Sequence, residues 1–422
     1  MTPEVKERIE QIRHGIEPEG YQKTKVGLAP VDWEVIRFHQ MFSRLSRRNT
    51  ENNMNVLTIS AQHGLISQQD FFNKAIASED KTNYFLLTKG EFAYNKSYSN
   101  GYPYGALKKL DLYEKGIVSP LYICFFPTPE NTCPDFYAQY FEAGKMNSEI
   151  HAFAQEGARN HGLLNISVED FFNSNLLYPS SAEQHRIAAI LTAQNQIIEL
   201  KERLLSEKQR QKKYLLQQLL TGKKRLPGFD GEWKKVRLKK LLKERKTFSP
   251  KGAEYPHVTL STEGIYAKSE RYDRDHLVKS DDKAYKITHK GDICYNPANL
   301  KFGVICMNNF GDAIFSPIYV TFEVVGKVCP EFLAAYLMRW DFINAVRKYE
   351  EGTVYERMAV KPEDFLKFEM MLPPYEEQVT IAEILSTADK EIDLLRQDLE
   401  QEKQKKKALM QLLLTGIVRV NT

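Results

Sequence analysis

The feature that most limits what this chain can fold into is that it repeats itself. Glu183-Gln184 recurs as Glu377-Gln378, 194 residues later. The spacing then holds without a gap to Leu219-Leu220-Thr221-Gly222 and Leu413-Leu414-Thr415-Gly416. Along that stretch Ile187, Ala188, Ile190, Leu191, Ile198, Leu205, Lys212, Lys213 and Leu215 meet identical residues. Upstream the match is sparser but keeps its order. Trp33 pairs with Trp233, Arg37 with Arg237, and Lys89-Gly90-Glu91 with Lys290-Gly291-Asp292. Tyr94-Asn95 pairs with Tyr295-Asn296, and Ser119-Pro120 with Ser316-Pro317. Cys133-Pro134-Asp135-Phe136 pairs with Cys329-Pro330-Glu331-Phe332, and Glu169-Asp170-Phe171 with Glu363-Asp364-Phe365. The offset drifts from 200 to 194, so the copies differ by loop insertions. A repeat this long makes the molecule a tandem duplication. Its segments are an N-terminal helical segment (1–29), a first module (30–180), a first coiled-coil helix (181–226), a second module (227–374) and a second helix (375–422). The modules have diverged and the helices have not. Either the helices meet one fixed partner while the modules meet different targets, or a coiled coil tolerates less drift than loops do.

Leu191, Ile198, Leu205, Lys212 and Leu219 fall every seven residues, as do Leu385, Ile392, Leu399, Lys406 and Leu413. A sustained seven-residue period predicts supercoiled helices. The adjoining columns are mixed: Gln194, Lys201, Lys208 and Leu215, then Ala388, Leu395, Glu402 and Leu409. A seam lysine at matching places either fixes register or extends its charge outward. Gly222 and Gly416 suit the left-handed residue that closes a helix. At 1.5 Å per residue, a helix of ~40 residues runs ~60 Å. Two such helices joined through a folded module can lie antiparallel and hold the modules apart with approximate two-fold symmetry. Residues 201–225 carry nine Lys or Arg against two Glu, and 395–419 carry six against three acids. Such a run is either a solvated face or a stripe facing phosphates or a partner.

The fold class expected is α+β. Tyr84 to Thr88, Val118 to Phe126 and Ala313 to Val325 read as strands, and Phe136 to Phe141 and Phe332 to Phe342 as amphipathic helix. Several loops interleave basic and amide residues with tyrosine. In the first module these are Arg44, Arg47, Arg48 and Asn49; Lys96, Tyr98 and Asn100; and Arg159 and Asn160. In the second they are Lys246, beside Arg245; Lys268, Arg271 and Arg274; Asn296, Asn299 and Lys301; and Tyr355 and Arg357. Arg forks onto guanine, Asn onto adenine, and Lys meets phosphates. These residues are therefore the candidate DNA contacts. The seam residues Leu191, Ile198, Leu205, Leu219, Leu385, Ile392, Leu399 and Leu413 are the candidate helix-pairing and partner residues.

Bulk composition decides less. A net charge of +4 and 42% hydrophobic residues fit a folded, mildly basic protein. The five cysteines are odd in number and without a CxxC pair, which argues for reduced thiols over a zinc site or disulfides. Met1-Thr2-Pro3-Glu4 carries no signal segment, and no apolar run reaches membrane-span length. A cytoplasmic location is expected.

Catalytic motifs are missing. There is no phosphate-binding G-x-x-x-x-G-K-[ST] loop and no glycine-rich turn placed for a methyl donor. Tyr295-Asn296-Pro297 is not the Asn-Pro-Pro-aromatic of an adenine methyltransferase, and the first copy has Tyr94-Asn95-Lys96. Pro134-Asp135 is followed by Glu142-Ala143-Gly144-Lys145, one residue too long for a nuclease, and Glu331 replaces Asp135 in the second copy. The nine histidines show no metal spacing. The expectation is no catalytic residue and no metal.

Each helix opens with Pro-x-x-x-Glu-Gln-x-x-Ile-Ala-x-Ile-Leu, or nearly so (Pro179 to Leu191, Pro373 to Leu385), and closes with Leu-Leu-Thr-Gly. With Val31-Asp32-Trp33-Glu34-Val35, Gly231 to Val236 and the two Lys-Gly-acid turns, the chain resembles the specificity subunits of Type I restriction–modification systems over nearly all of residues 3–420. The resemblance implies two target-recognition domains, each reading one half of a split sequence in double-stranded DNA, with the helices setting the unread spacer. It implies two methyltransferase subunits docked on this chain and motor-nuclease subunits beyond them. S-adenosylmethionine, ATP and Mg would then belong to those partners, with no cofactor here. It also implies that the first segment, with Val5, Ile9 and Ile12 on one face, packs near the C-terminus. Two other readings stay open: a coiled-coil scaffold that does not bind DNA, and the recognition part of a single-chain restriction or methyltransferase enzyme. Salt-sensitive DNA binding separates the first, and methyl-donor binding the second.

Overall fold

The computed structural model describes residues 2–60, 63–69, 81–130, 132–156, 164–250, 254–268, 284–349 and 359–420. Its helices are α1 (Pro3–Arg13), α2 (Phe38–Met41), α3 (Pro134–Glu142), α4 (Asn147–Phe153), α5 (Val168–Phe172), α6 (Ser181–Leu219), α7 (Pro330–Leu337), α8 (Trp340–Val346), α9 (Pro362–Lys367) and α10 (Tyr375–Leu413). The chain divides into two compact units, residues 1–202 with 398–422, and residues 203–397. Both long helices, α6 and α10, are therefore divided between the units.

The two units are built alike. In the first, a four-stranded antiparallel sheet runs in the order 42–44, 123–127, 92–95, 106–109. In the second, the order is 242–244, 320–324, 293–295, 305–307. In each, the strand that opens the module pairs with the strand just before the long helix: 34–37 with 175–178, and 234–237 with 369–372. The first core is aromatic, with Phe38, Phe42, Phe92, Tyr94, Phe125, Tyr137, Phe141 and Phe171. The second is more aliphatic, with Leu238, Leu242, Ile293, Leu333, Leu337 and Ile343 around Tyr295, Phe322 and Phe365. At about 1.5–3 kcal/mol per large buried apolar side chain, these cores carry most of the favourable free energy.

The repeated motifs have structural causes. Gly90 and Gly291 take φ of +90° and +92°. The acid after each glycine folds back onto the turn: Glu91 accepts from the Thr88 N–H at 2.6 Å, and Asp292 from the His289 N–H at 2.8 Å. Tyr94 and Tyr295 are core residues stacked on Phe171 (5.1 Å) and Phe365 (4.9 Å). That accounts for the Tyr-Asn and Glu-Asp-Phe matches. The Ser-Pro pairs form tight turns, with the Tyr122 and Tyr319 N–H groups donating to Ser119 and Ser316 carbonyls, each at 3.1 Å. These turns split the strands expected over 118–126 and 313–325 into 115–118 plus 123–127 and 313–315 plus 320–324. Likewise the helix expected over 332–342 is two helices, α7 and α8, with Met338 and Arg339 between them. The 1–29 segment is helical only over α1; Pro18, Gly20 and Gly27 bring in a hairpin of 21–24 with 27–30.

Glu-Gln at the start of each long helix is buried and fully used. Gln184 accepts from the Cys133 N–H at 3.0 Å and donates to the Pro179 carbonyl at 2.9 Å. Gln378 does the same with Cys329 (2.9 Å) and Pro373 (2.8 Å). Glu183 accepts from the Trp33 indole at 2.9 Å and from Arg419 through both oxygens, at 2.8 and 2.9 Å. Glu377 accepts from Trp233 at 3.2 Å and from Arg225 at 2.8 and 2.9 Å. The glycine of each Leu-Leu-Thr-Gly completes this clamp. Gly222 and Gly416 have φ of +69° and +68°. A Cβ on Gly416 would fall 2.5 Å from Pro30 and 3.2 Å from the Trp33 ring. Each clamp thus joins a module's first tryptophan and its own helix start to the end of the other helix. In the first unit α1 and its hairpin add to the joint, Arg8 donating to the Ile417 carbonyl and Tyr21 to that of Gly416, each at 2.6 Å.

The helices pair antiparallel. In the first unit Gln194 donates to Glu402 (2.7 Å) and Lys201 to Asp398 (2.7 Å). In the second, Lys208 meets Glu391 (2.6 Å) and Lys212 meets Asp389. The polar column is satisfied by cross-helix carboxylates, and Leu191, Leu219, Leu385, Ile392, Leu399 and Leu413 are buried beside it. Ile198 and Leu205 are half-buried in the same column. The seam lysines differ: Lys212 reaches a carboxylate, whereas burial lowers the affinity of Lys406 for its proton, with Glu142 offsetting and Lys108 adding to the effect.

Gln184→Ala and Gln378→Ala should each destabilise their own unit by about 2–4 kcal/mol, because a buried N–H and carbonyl lose their partner and a small cavity opens. Urea unfolding followed by circular dichroism measures it; a loss under about 0.5 kcal/mol would mean that water replaces the amide.

Candidate nucleic-acid interface

The sequence candidates separate by what their side chains already hold. Arg47 donates to Glu91 at 2.7 Å and to the Leu86 carbonyl at 3.2 Å. Arg245 forks onto Asp292 at 2.9 and 3.0 Å, which raises its already high pKa. Each arginine thus braces the Lys-Gly-acid turn of its own module. Arg48 lies over the Phe85 ring at 4.6 Å and donates to the Asn83 carbonyl. Asn49 is 4% exposed. Its amide donates to Asn53 (3.0 Å) and its oxygen accepts from the Asn53 N–H (2.8 Å). Asn296 is 7% exposed and folds its own loop, accepting from the N–H groups of Ala298 (3.1 Å) and Asn299 (3.3 Å). The candidate contacts Asn49 and Asn296 are thus both buried and hold loops, because a short amide close to turning backbone satisfies it locally. Tyr295-Asn296-Pro297 likewise has a structural cause, a stacked core tyrosine followed by a loop-holding amide.

Other candidates remain on the surface. Arg44 ends an edge strand and is exposed. Tyr98 is 61% exposed and Asn100 exposed, on the loop after the strand 92–95; Lys96 is half-exposed there. In the second unit Lys246 is exposed, 3.4 Å from Glu244. Lys268 and Asn299 are half-exposed, and the Lys301 ammonium stands 5.2 Å from the centre of the Phe302 ring. Arg159, Asn160, Arg271, Arg274, Tyr355 and Arg357 lie outside the described residues.

Sequence reading missed two exposed aromatic residues, Phe302 (58%) and Trp340 (60%). Aromatics read as core, and only tertiary structure shows which are left outside. It also missed the arginines of the clamps, although Arg225 and Arg419 each follow Thr-Gly at the same distance. The thiols are all buried, and burial pushes Cys306 up to about 12. Among the described residues no group of three or more His, Cys, Asp or Glu could hold a metal ion, and no helix is long and apolar enough to cross a membrane.

Residues 230–404 match the family model described as the Type I restriction modification DNA specificity domain. The first module repeats that domain's sheet order and clamp, and the chain as a whole is similar to type I specificity subunits. It is 24% identical over 439 residues to the putative type I restriction enzyme MjaX specificity subunit of Methanocaldococcus jannaschii, covering 96% of this chain and 98% of that protein. In fold it is similar to the HsdS subunit from Thermoanaerobacter tengcongensis (TM-score 0.50, 16% identity, 92% and 98% covered). It is also similar to the S subunit of the Type-I restriction-modification system from M. genitalium (TM-score 0.53, 12% identity, 92% and 96% covered).

Arg245→Ala should lower the stability of the second unit and leave the salt dependence of DNA binding unchanged. Lys246→Ala and Lys301→Ala should each flatten the plot of log affinity against log salt by about one unit, the signature of one lost phosphate contact. Filter binding from 50 to 200 mM salt, with thermal melting alongside, measures both.

Proposed function

We propose that this chain is the sequence-reading subunit of a type I restriction–modification complex in the cytoplasm, with no catalytic residue of its own. Each module reads one half of a split target in double-stranded DNA, and α6 with α10 sets the unread spacer. Methyl transfer, with its S-adenosylmethionine, falls to two methyltransferase subunits docked on this chain. ATP- and Mg-dependent translocation and cleavage fall to motor-nuclease subunits. The observation that carries this reading is that one scaffold is built twice while the surface loops differ. Sheet order, acid-braced turn and Glu-Trp-Arg clamp recur, but the residues offered at corresponding loops do not. Two readers of one design with different faces fit a target whose halves differ in sequence and lie about one turn apart on one face of the duplex.

The docking of partners has its own support. Beside its buried seam, α6 carries a second apolar column. Ile190 (37% exposed), Ala193, Ile197 (38%) and Leu200 (63%) recur at the spacing of a helix-pairing face. The matching positions of α10 are Ile384, Thr387, Glu391 and Leu394. A partner helix would gain most from the α6 face. Ile197→Glu with Leu200→Glu should leave folding and salt-dependent DNA binding intact and abolish co-purification of a methyltransferase subunit; unchanged co-purification moves that contact elsewhere.

Long-read methylome sequencing of the host with and without this gene tests the whole reading. One split adenine-methylated motif should vanish on deletion. Unchanged methylation with active partner subunits overturns it, and a salt-independent chain would instead be a scaffold.

A further inference from the structure

In the second unit the loop after the strand 293–295 ends in a short 3-10 turn, Leu300–Phe302, closed by Gly303 at φ +81°. The Gly303 N–H donates to the Leu300 carbonyl at 2.8 Å. A Cβ on Gly303 would lie 3.6 Å from the ring of Trp340, the first residue of α8. Phe302 and Trp340 therefore flank one glycine, on backbone that is fixed on both sides. Asn296 pins the start of the loop, and Phe342, Ile343 and Val346 bury the far side of α8. Both rings nonetheless stay about as exposed as Tyr98. Single exposed apolar residues need no explanation, but two exposed aromatic residues set on fixed backbone at one glycine mark a contact surface. The charge beside them points to its partner. Lys301 has no carboxylate partner among the described residues, and its ammonium lies against the Phe302 ring. A cation without a carboxylate partner among the described residues, set against an exposed aromatic ring, matches a phosphate next to a base.

The first unit has the same turn with another occupant. Gly105 (φ +79°) receives the corresponding bond, its N–H donating to the Tyr102 carbonyl at 3.2 Å. The preceding Tyr104 is only half-exposed, and its hydroxyl is hydrogen-bonded to His151 at 3.1 Å. Asn147 stands first in α4, where α8 has Trp340. Among the described residues, the exposed aromatic pair at this turn belongs to the second module.

We propose that Phe302 and Trp340 are base-contacting residues of the second module. They would take the apolar part of its half-site, a thymine methyl group or the face of a base, while Lys301 takes a neighbouring phosphate. This rests on the DNA-reading function proposed above. The experiment uses the assembled complex on a duplex carrying its own methylated motif. Trp340→Ala and Phe302→Ala should each weaken binding about ten- to hundredfold, which at 1.4 kcal/mol per tenfold is about 1.4–2.8 kcal/mol. Trp340→Phe should retain most of the affinity, and binding to unrelated DNA should not change. Only substitutions in the half-site read by the second module should lose their effect in the alanine variants. If the contact is to a methyl group, replacing thymine by uracil there weakens the wild type and not Trp340→Ala. If it is to a base face, 2-aminopurine at the contacted step brightens on binding the wild type and not the variant. Unchanged affinity in both alanine variants overturns the proposal. So does a loss of subunit assembly in place of DNA affinity, which would make the patch a protein contact. A wild-type complex with no sequence preference would instead sink the underlying function.

Discussion

Everything in this molecule hangs on a carboxylate buried at the start of each long helix. Glu183 and Glu377 are almost wholly removed from water. A buried charge is costly unless its lone pairs are filled. Here an indole N–H and a forked guanidinium fill them, and stretches of chain distant in sequence are brought to one point: three at Glu183, two at Glu377. An apolar contact could supply similar stability, but it would accept many arrangements. A bidentate pair with an indole on its flank accepts few. The module's first strand, the start of its helix and the end of the other helix are thereby fixed together, and the sheet and loops follow from that frame.

Rigid frames and variable loops divide the work. Arg47 and Arg245 illustrate how: each has the charge for DNA contact and each is committed to the acid of its own turn. Their role is to hold the surface that other residues present. Tyr98 and Asn100 stand outward, Lys246 is exposed beside Glu244, and Lys301 lies against the Phe302 ring.

The frame was legible in the sequence because it was written twice. Identical residues at one spacing exposed the helices, their heptads, the Glu-Gln pair and the closing glycines. The clamp arginines sat at equal distances after Thr-Gly in both copies, a signal present and unread. The candidate interface was less legible for a physical reason. Asn49, Asn296, Asn100 and Asn299 have the same composition, and only the course of the backbone decides which amide is absorbed by a turn. Phe302 and Trp340 look like core residues to any rule based on hydrophobicity. The turns at Ser119-Pro120 and Ser316-Pro317 broke strands that propensity alone had joined, and Pro18, Gly20 and Gly27 turned half of the first segment into a hairpin.

The crossed supply of arginines also sets an order of assembly. The second unit is one continuous stretch, 203–397, and both partners of its clamp lie within it. The first unit waits for Arg419, which is 236 residues beyond Glu183. On the ribosome, where chains emerge from the N-terminus onward, the module made first is therefore the last to be completed. Until residues 398–420 appear, its Glu183 and Trp33 lack their arginine and Leu191 lacks the C-terminal leucines that share its core. The first reader stays open for as long as the second takes to synthesise, and only the closing stretch, 398–420, completes it.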